Sequence, residues 1–164
     1  MSEIKEHLDY IYQRIEDAAG KAGRRAEDVR LMAVTKLHPK EMVEEAYAAG
    51  LRLFGENRVQ EAEEKYRDYH DDAELHIIGH LQSNKAKKVV GLATCVQSID
   101  KLKTAAELEK RCAEADVKMD IYLEYNTSGE KSKSGYESKE AMFDDLEKMA
   151  TFPHLNVRGL MTIG

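Results

Sequence analysis

Apolar residues recur at helical spacing over the first twenty residues, and short apolar runs then alternate with further helical stretches. The first stretch predicts an amphipathic helix that ends at Gly20 or Gly23 and carries Ile4, Leu8, Ile11, Ile15 and Ala18 on one side. Six strands are predicted over 29–35, 51–54, 75–78, 95–99, 119–125 and 157–163. The helices between them are predicted over 39–50, 58–69, 84–90, 101–115 and 139–151, the fourth capped by Asp100.

Repeated strand–helix units of this length predict an α/β fold with a parallel sheet and right-handed crossovers. The pattern leaves two architectures open, because strand order separates a doubly wound open sheet from a (β/α) barrel. With 164 residues the chain can bury one sizeable core, and no composition break marks a linker. We therefore expect residues 1–164 to form a single domain.

Composition narrows the class of protein. A content of 42% hydrophobic and 34% charged residues is typical of a globular protein, and a net charge of −6 argues against nucleic acid as a partner. No segment has the length of a membrane span, and the N-terminus lacks the apolar stretch of a signal peptide. Cys95 and Cys112 have neither metal nor redox spacing, so we expect reduced thiols and a cytoplasmic location.

Lys36 directly follows the apolar run 31–35 and precedes the helix that Pro39 opens. In parallel α/β folds, the carboxyl ends of the strands are where ligands bind. A partly desolvated lysine there can lose its proton and condense with an aldehyde to give a Schiff base. The alternative is a strand-end lysine that extends into water.

Other polar residues also follow predicted strands, so they converge with Lys36 on one rim of the sheet; they are Glu56, Asn57, His80, Gln82, Asp100, Asn126 and Thr162. Asn57 fits either a cofactor contact or a helix cap, since residues 57–60 resemble a capping box. His80 is expected at the rim and His76 in the core. The two are four residues apart, but no third ligand is spaced to join them, so we predict no metal site.

The segment 127–135 is rich in glycine, serine and lysine, as anion-binding turns are. It lacks the spacing of a nucleotide-binding P-loop, and segments of this composition also serve as plain mobile connectors. Lys133 is therefore a candidate phosphate contact, and a connector role for its loop stays open.

Several motifs occur in a fixed order: Ala-Val-Thr-Lys at 33–36, Phe-Gly-Glu-Asn at 54–57, His-Ile-Ile-Gly-His-Leu-Gln-Ser-Asn-Lys at 76–85, Ser-Lys-Ser-Gly at 132–135 and Arg-Gly-Leu-Met-Thr-Ile-Gly at 158–164. Together they resemble the pyridoxal 5′-phosphate (PLP) homeostasis proteins, which are related in fold to the N-terminal barrel of alanine racemase. The resemblance spans essentially the whole chain. It implies a TIM-type (β/α) barrel that holds PLP as a Schiff base on Lys36, with Asn57 and Met161 at the same site.

Members of that family continue through roughly two more strand–helix units, which an eight-stranded barrel needs in order to close. The chain is therefore expected to form about six of the eight strands, as a shortened form or a divergent short member. In the family the further part carries much of the phosphate-binding region and the arginine that faces the pyridine nitrogen. The first and sixth strands would then be sheet edges, which favour pairing with a second copy as a homodimer.

Three functions remain open at this stage. The first is a PLP carrier in PLP homeostasis, with PLP-dependent apoenzymes as possible recipients and no established catalysis. The second is a small PLP-dependent racemase or related amino-acid enzyme, which needs acid–base groups on both faces of the cofactor. The third is a fragment or scaffold that cannot retain the cofactor.

Overall fold

The computed structural model describes residues 2–163, and six parallel strands dominate it. The strands are β1 (Ala33–Val34), β2 (Leu53–Glu56), β3 (Glu74–Ile77), β4 (Cys95–Ile99), β5 (Met119–Glu124) and β6 (Leu155–Met161). Met1 and Gly164 lie outside the described residues, so the last glycine of the motif at 158–164 has no structural account.

The order of the strands in the sheet follows their order in the chain, from β1 to β6, and every neighbouring pair is parallel. A doubly wound sheet reverses its strand order at a switch point, whereas a (β/α) barrel adds each strand beside the previous one. The sequential order thus decides between the two architectures left open by the sequence. It confirms a partial TIM-barrel-like fold with six strands, and β1 and β6 lie at the two ends of the sheet.

Helices follow the strands on one face of the sheet. They are α1 (Glu3–Lys21), α2 (Lys40–Ala48), α3 (Val59–Tyr66), α4 (Ala86–Val89), α5 (Leu102–Ala115) and α6 (Lys139–Met149). No helix within residues 2–163 is long and apolar enough to cross a membrane.

The hydrophobic core lies between the helices and one face of the sheet. Alternate strand residues point to this face, among them Phe54, Ile77, Val96 and Ile121, all fully buried. The residues paired across the sheet on the other face start with Val34, Gly55 and His76. That second face corresponds to the inside of a barrel, and on it Val34 of the end strand β1 is exposed.

Strand boundaries differ from the prediction because a run of apolar residues indicates burial, whereas the bounds of a strand are set by its hydrogen-bonded pairing with a neighbouring strand. The first strand was predicted over 29–35, but only Ala33–Val34 pair with β2, and Ala26–Asp28 form a 3-10 turn. At the sheet edge this segment has a single neighbour to pair with. The second and sixth strands are displaced by two residues, to Leu53–Glu56 and Leu155–Met161.

The predicted cap by Asp100 is wrong, and Asn57, for which a cap was one of two alternatives, does not hold a cap position either. Lys101, not Asp100, holds the N-cap position of α5, and the amide of Leu102 donates instead to the Asp145 carboxylate of α6 at 3.1 Å. Arg58, one residue after Asn57, holds the N-cap position of α3, and no side chain of the described residues caps this helix. Asn57 is therefore not needed as a cap.

Candidate functional site

Contacts join several neighbouring strands at their carboxyl ends. Thr35, directly after β1, donates a hydrogen bond to Glu56 at the end of β2, and the loop after β2 packs on the turn after β3. That turn is joined to the end of β4 by the bond from the Ser98 hydroxyl to the Gly79 carbonyl (2.7 Å). The hydroxyls of Thr127 and Thr162 lie 2.8 Å apart and join the last two strands. The predicted convergence on one rim is thus present.

Lys36 lies in the turn directly after β1, and its side chain is exposed. Of the two alternatives left open, the described residues show the exposed lysine, because β1 is an end strand with β2 as its neighbour on one side. The next residue, Leu37, has a φ of 64° and is 81% exposed. An exposed leucine in the left-handed region costs energy and indicates that the turn is held from elsewhere.

Beneath Lys36 lies a buried hydrogen-bonded group. The Thr35 hydroxyl donates to Glu56 Oε1 at 2.7 Å, so the Tyr66 hydroxyl, also at 2.7 Å, donates to Thr35. Glu56 is fully buried, and burial raises the pKa of Tyr66. The turn after β1 is therefore fastened to β2 and α3 through side chains that water does not reach.

A buried cation completes this group. Lys65 of α3 is 7% exposed, and its ammonium donates to the Thr35 carbonyl (2.7 Å), to Glu56 Oε1 (2.9 Å) and to Glu61 Oε1 (2.9 Å). Burial lowers the pKa of Lys65, but its bonds to Glu61 and Glu56 outweigh burial, so the pKa is raised overall. The bond from Lys65 holds the pKa of Glu61 below its ordinary value. The Lys65–Glu61 pair is therefore charged at neutral pH.

Asn57 and His80 lie at one cavity of about 300 Å³, which Arg58, Gln60 and Lys85 also line. Asn57 is half-buried, and its backbone carbonyl group lies directly against Gly79. The start of α3 borders this cavity, and helix starts favour anions. Two of the predicted site residues are thus brought together next to basic side chains.

The exposed His80 ring continues the rim toward β4 and β5, with its Nδ1 3.3 Å from Asp100 Oδ2. Glu124 at the end of β5 is 3% exposed and accepts from the Ser134 hydroxyl at 2.8 Å, while its Oε2 has no hydrogen-bond partner within residues 2–163. Burial raises the pKa of Glu124, and the charge of Asp100 acts in the same direction. This part of the rim is acidic.

Lys133 and Met161 lie at the β5–β6 end of the rim. Lys133 lines a cavity of about 210 Å³ together with Asn126 and Ser132, and its ammonium is 3.5 Å from Glu130. Met161 ends β6, and its carbonyl accepts from the Tyr125 amide at 2.9 Å. Three strands lie between β5 and β1 in the sheet, so Lys133 and Lys36 occupy different places along the rim.

His76 is buried, as predicted, and lies on the second face of the sheet. It is 6% exposed, its Nδ1 lies 2.8 Å from Gln97 Nε2, and burial lowers its pKa. His76 and His80 belong to separate parts of the sheet, one within β3 and one at the rim.

The sequence interpretation missed Lys65, Glu61 and Tyr66. One signal was available: on α3, Val59, Ala62 and Tyr66 share the buried face, and Lys65 lies on that face rather than on the exposed one. A lysine on an apolar stripe, four residues after a glutamate, indicates a buried ion pair. Its connection to the turn around Lys36 spans 30 residues of sequence and carries no local signal.

The family model described as alanine racemase, N-terminal domain, matches residues 7–164. The chain is 38% identical over 159 residues to the pyridoxal phosphate homeostasis protein of Aquifex aeolicus, covering 96% of this chain and 69% of that protein. It is 40% identical over 164 residues to the protein of the same name from Pseudomonas aeruginosa, covering 99% of this chain and 71% of the other.

Solved structures agree with these matches. PipY of Synechococcus elongatus, solved with PLP bound, superposes with a TM-score of 0.77 at 33% identity, covering 92% of this chain and 70% of PipY. Alanine racemase of Clostridium difficile superposes with a TM-score of 0.70 at 11% identity, covering 83% of this chain and 36% of the racemase. The second likeness concerns the fold alone.

Proposed function

The chain belongs to the alanine racemase N-terminal domain family, with pyridoxal phosphate homeostasis proteins among its relatives, and we propose that it binds PLP as a Schiff base on Lys36. The proposed role is intracellular PLP homeostasis rather than catalysis. The observation that carries the proposal is the position of Lys36 after β1. The carboxyl ends of the strands, where Lys36 lies, are where α/β folds bind ligands. PipY, which was solved with PLP bound, is a relative at 33% identity.

The described residues fit such a ligand. PLP offers an aldehyde, an anionic phosphate and a flat ring, and the rim offers an exposed amine and a cavity bordered by basic side chains and a helix start. We propose Asn57 and His80 as contacts on this side, and Lys133 and Met161 as contacts at the β5–β6 end. We also propose that residues 1–164 act as one binding domain.

Lys36 would react through its neutral amine. The nitrogen attacks the aldehyde carbon, a C=N double bond replaces the C=O bond, and the oxygen leaves as water with the two amine hydrogens. The exposure of Lys36 lets water reach this linkage, so the reverse reaction stays open. When bound, PLP supplies an electron sink for amino-acid chemistry. The protein's part is to hold the amine in place, and reversible capture matches a carrier.

The test is capture of PLP by a defined lysine. The protein is mixed with PLP, the absorbance of the Schiff base is recorded, and the linkage is reduced with borohydride and located by peptide mapping. We expect the pyridoxyl group on Lys36, and loss of both signals in Lys36→Ala. Lys87→Ala, which removes an exposed lysine of α4, is the matched control and should behave as the unchanged protein.

Two outcomes would contradict the proposal. Label spread over several surface lysines, or protein that stays colourless in excess PLP, would favour the scaffold that retains no cofactor. Solvent deuterium appearing at the α-carbon of alanine or serine would favour the racemase alternative over a carrier. The same samples serve all three measurements.

We propose PLP-dependent apoenzymes as recipients, since a linkage open to water can be released. The assay is recovery of activity by an apo-aminotransferase mixed with loaded protein, compared with free PLP at equal concentration. Recovery no faster than with free PLP would count against direct transfer.

We propose the cytoplasm as the location of the protein, because Cys95 and Cys112 are free, buried thiols.

We propose that the sheet ends support a homodimer. On β1, Val34 is 44% exposed, and on β6, Leu160 is 63% exposed. Edge strands with exposed apolar residues favour pairing with another chain. Sedimentation velocity over a concentration series should show a dimer or larger species, and a monomer at every concentration would contradict this.

A further inference from the structure

Lys65 is an unusual residue for the core side of a helix. It lies on the buried face of α3 beside Ala62 and Tyr66, and its exposure of 7% is comparable to that of the apolar residues around it. Burying an ammonium is costly, and a well-packed apolar residue often serves stability at least as well as a buried ion pair. Stability alone therefore does not explain the lysine at this position.

The partners of Lys65 enclose Lys36 from both sides along the backbone. The Thr35 carbonyl, directly before Lys36, accepts from the Lys65 ammonium at 2.7 Å. The Leu37 amide, directly after Lys36, donates to Glu61 Oε1 at 2.6 Å, and the same Glu61 oxygen accepts from Lys65 at 2.9 Å. One ammonium thus fixes both peptide groups that flank Lys36.

The backbone of the turn agrees with an external restraint. Leu37 keeps a left-handed conformation with its side chain 81% exposed, so its own packing does not stabilise that conformation. The bond from its amide to Glu61 does, and Glu61 is held in turn by Lys65. The second carboxylate, Glu56, bonds to Lys65 (2.9 Å) and to the Thr35 hydroxyl (2.7 Å), which restrains the turn from its other side.

We propose that Lys65 is a positioning residue for Lys36: its buried ammonium fixes the turn from Thr35 to Leu37, so that the Lys36 amine is presented to the aldehyde of PLP. This inference rests on the proposed function, since it assigns the group that holds the reacting lysine. We assign Lys65 no contact with the ligand. It acts through the backbone on either side of Lys36, in a region where Lys36 has sheet support on one side only.

The experiment compares three variants with the unchanged protein. Lys65→Met removes the charge but keeps the length and apolar stem. Lys65→Arg keeps the charge and should rescue in part. Leu108→Ala leaves a cavity beside α5, a different helix from the one that carries Lys65. It serves as a control for the loss of global stability that Lys65→Met can cause. Each protein is labelled with PLP and borohydride, and the ratio of label on Lys36 to label on Lys87 is measured in the same molecules.

We expect Lys65→Met to lower the Lys36 to Lys87 ratio at least about tenfold, since small misplacements of a reacting group cost one to two orders of magnitude. Leu108→Ala should keep the ratio of the unchanged protein at temperatures where it is folded. A ratio in Lys65→Met within twofold of that in Leu108→Ala would overturn the proposal.

A second measurement needs no PLP. Hydrogen exchange of the Leu37 amide, followed by NMR at a temperature where all variants are folded, should be at least about tenfold faster in Lys65→Met and unchanged in Leu108→Ala. Unchanged exchange in Lys65→Met would overturn the positioning role. Faster exchange together with no labelling of Lys36 in the unchanged protein would refute the proposed function and support the restraint on the turn.

Discussion

Gly79 lies where two loops of the rim meet, and a single methyl group there should disturb both. A Cβ at Gly79 would come within 2.3 Å of the Asn57 carbonyl oxygen, 2.7 Å of its Cα and 2.9 Å of its carbonyl carbon. All three are backbone atoms, so no side chain can swing away. Ordinary contact begins near 3.4 Å, and the loop after β2 must therefore retreat by about 1.1 Å (3.4 − 2.3).

The opposite side of Gly79 prevents it from absorbing that movement. Its carbonyl accepts from the hydroxyl of Ser98, a residue only 1% exposed, at 2.7 Å. Overpacking costs about 1–3 kcal/mol, and losing a buried hydrogen bond adds about 1 kcal/mol. We expect Gly79→Ala to lower the free energy of unfolding by about 2–4 kcal/mol, which for a chain of this size lowers Tm by very roughly 4–16 °C.

The assay is urea or thermal unfolding followed by circular dichroism, with Gly20→Ala as a matched control. Gly20 lies in the last turn of α1, and a methyl group added there would meet no atom within 4 Å, so this change should stabilise by up to about 1 kcal/mol. Because Asn57 moves, PLP affinity should also fall in Gly79→Ala. Unchanged stability and unchanged PLP affinity in Gly79→Ala would refute the assigned contact between the two loops.

Three further predictions concern separate residues. The pKa of Glu124 is raised in the folded protein, so the folded state holds its proton more tightly, and stability falls as pH rises from the ordinary carboxyl pKa to the higher folded pKa. Glu124→Gln should lose this slope of stability against pH in unfolding measured from pH 4 upward. An identical slope in the variant would contradict the assignment. Leu37→Gly should raise the free energy of unfolding by about 0.5–1 kcal/mol in urea, because the relief of left-handed strain by glycine exceeds its cost in chain entropy. A lower free energy of unfolding would indicate that the leucine side chain has a role. Burial raises the pKa of Cys95 to about 12 and of Cys112 to about 11. A chromogenic disulfide reagent at pH 8 should therefore label neither thiol until denaturant is added. Prompt labelling would show that the core opens.

Most secondary structure could be predicted from the sequence because each element buries one face of its own. The helical spacing of the first twenty residues gave α1, and the continuous apolar run at 95–99 matched β4 to the residue. The predicted cap by Asp100 is wrong for a physical reason: the amide of Leu102 is satisfied by Asp145, 43 residues away, so the adjacent Asp100 is not required.

The candidate site was predicted in part. Lys36, Asn57 and His80 were named because each follows a strand, and strand ends of a parallel sheet share one edge. The sequence left open whether Lys36 is partly desolvated or exposed, because this depends on which strand lies at the edge. Lys133 remains a prediction, at the β5–β6 end of the rim.

The sequence by itself determined the alternation of strands and helices, the faces that enter the core, and the lysine that follows the first strand. The tertiary structure alone decided the sequential strand order, the contact of Gly79 with Asn57 and the burial of Lys65 against the turn that carries Lys36. The reason is range: periodicity records which side of an element avoids water, whereas these contacts join residues about 20 to 30 positions apart and form only when separate elements pack together.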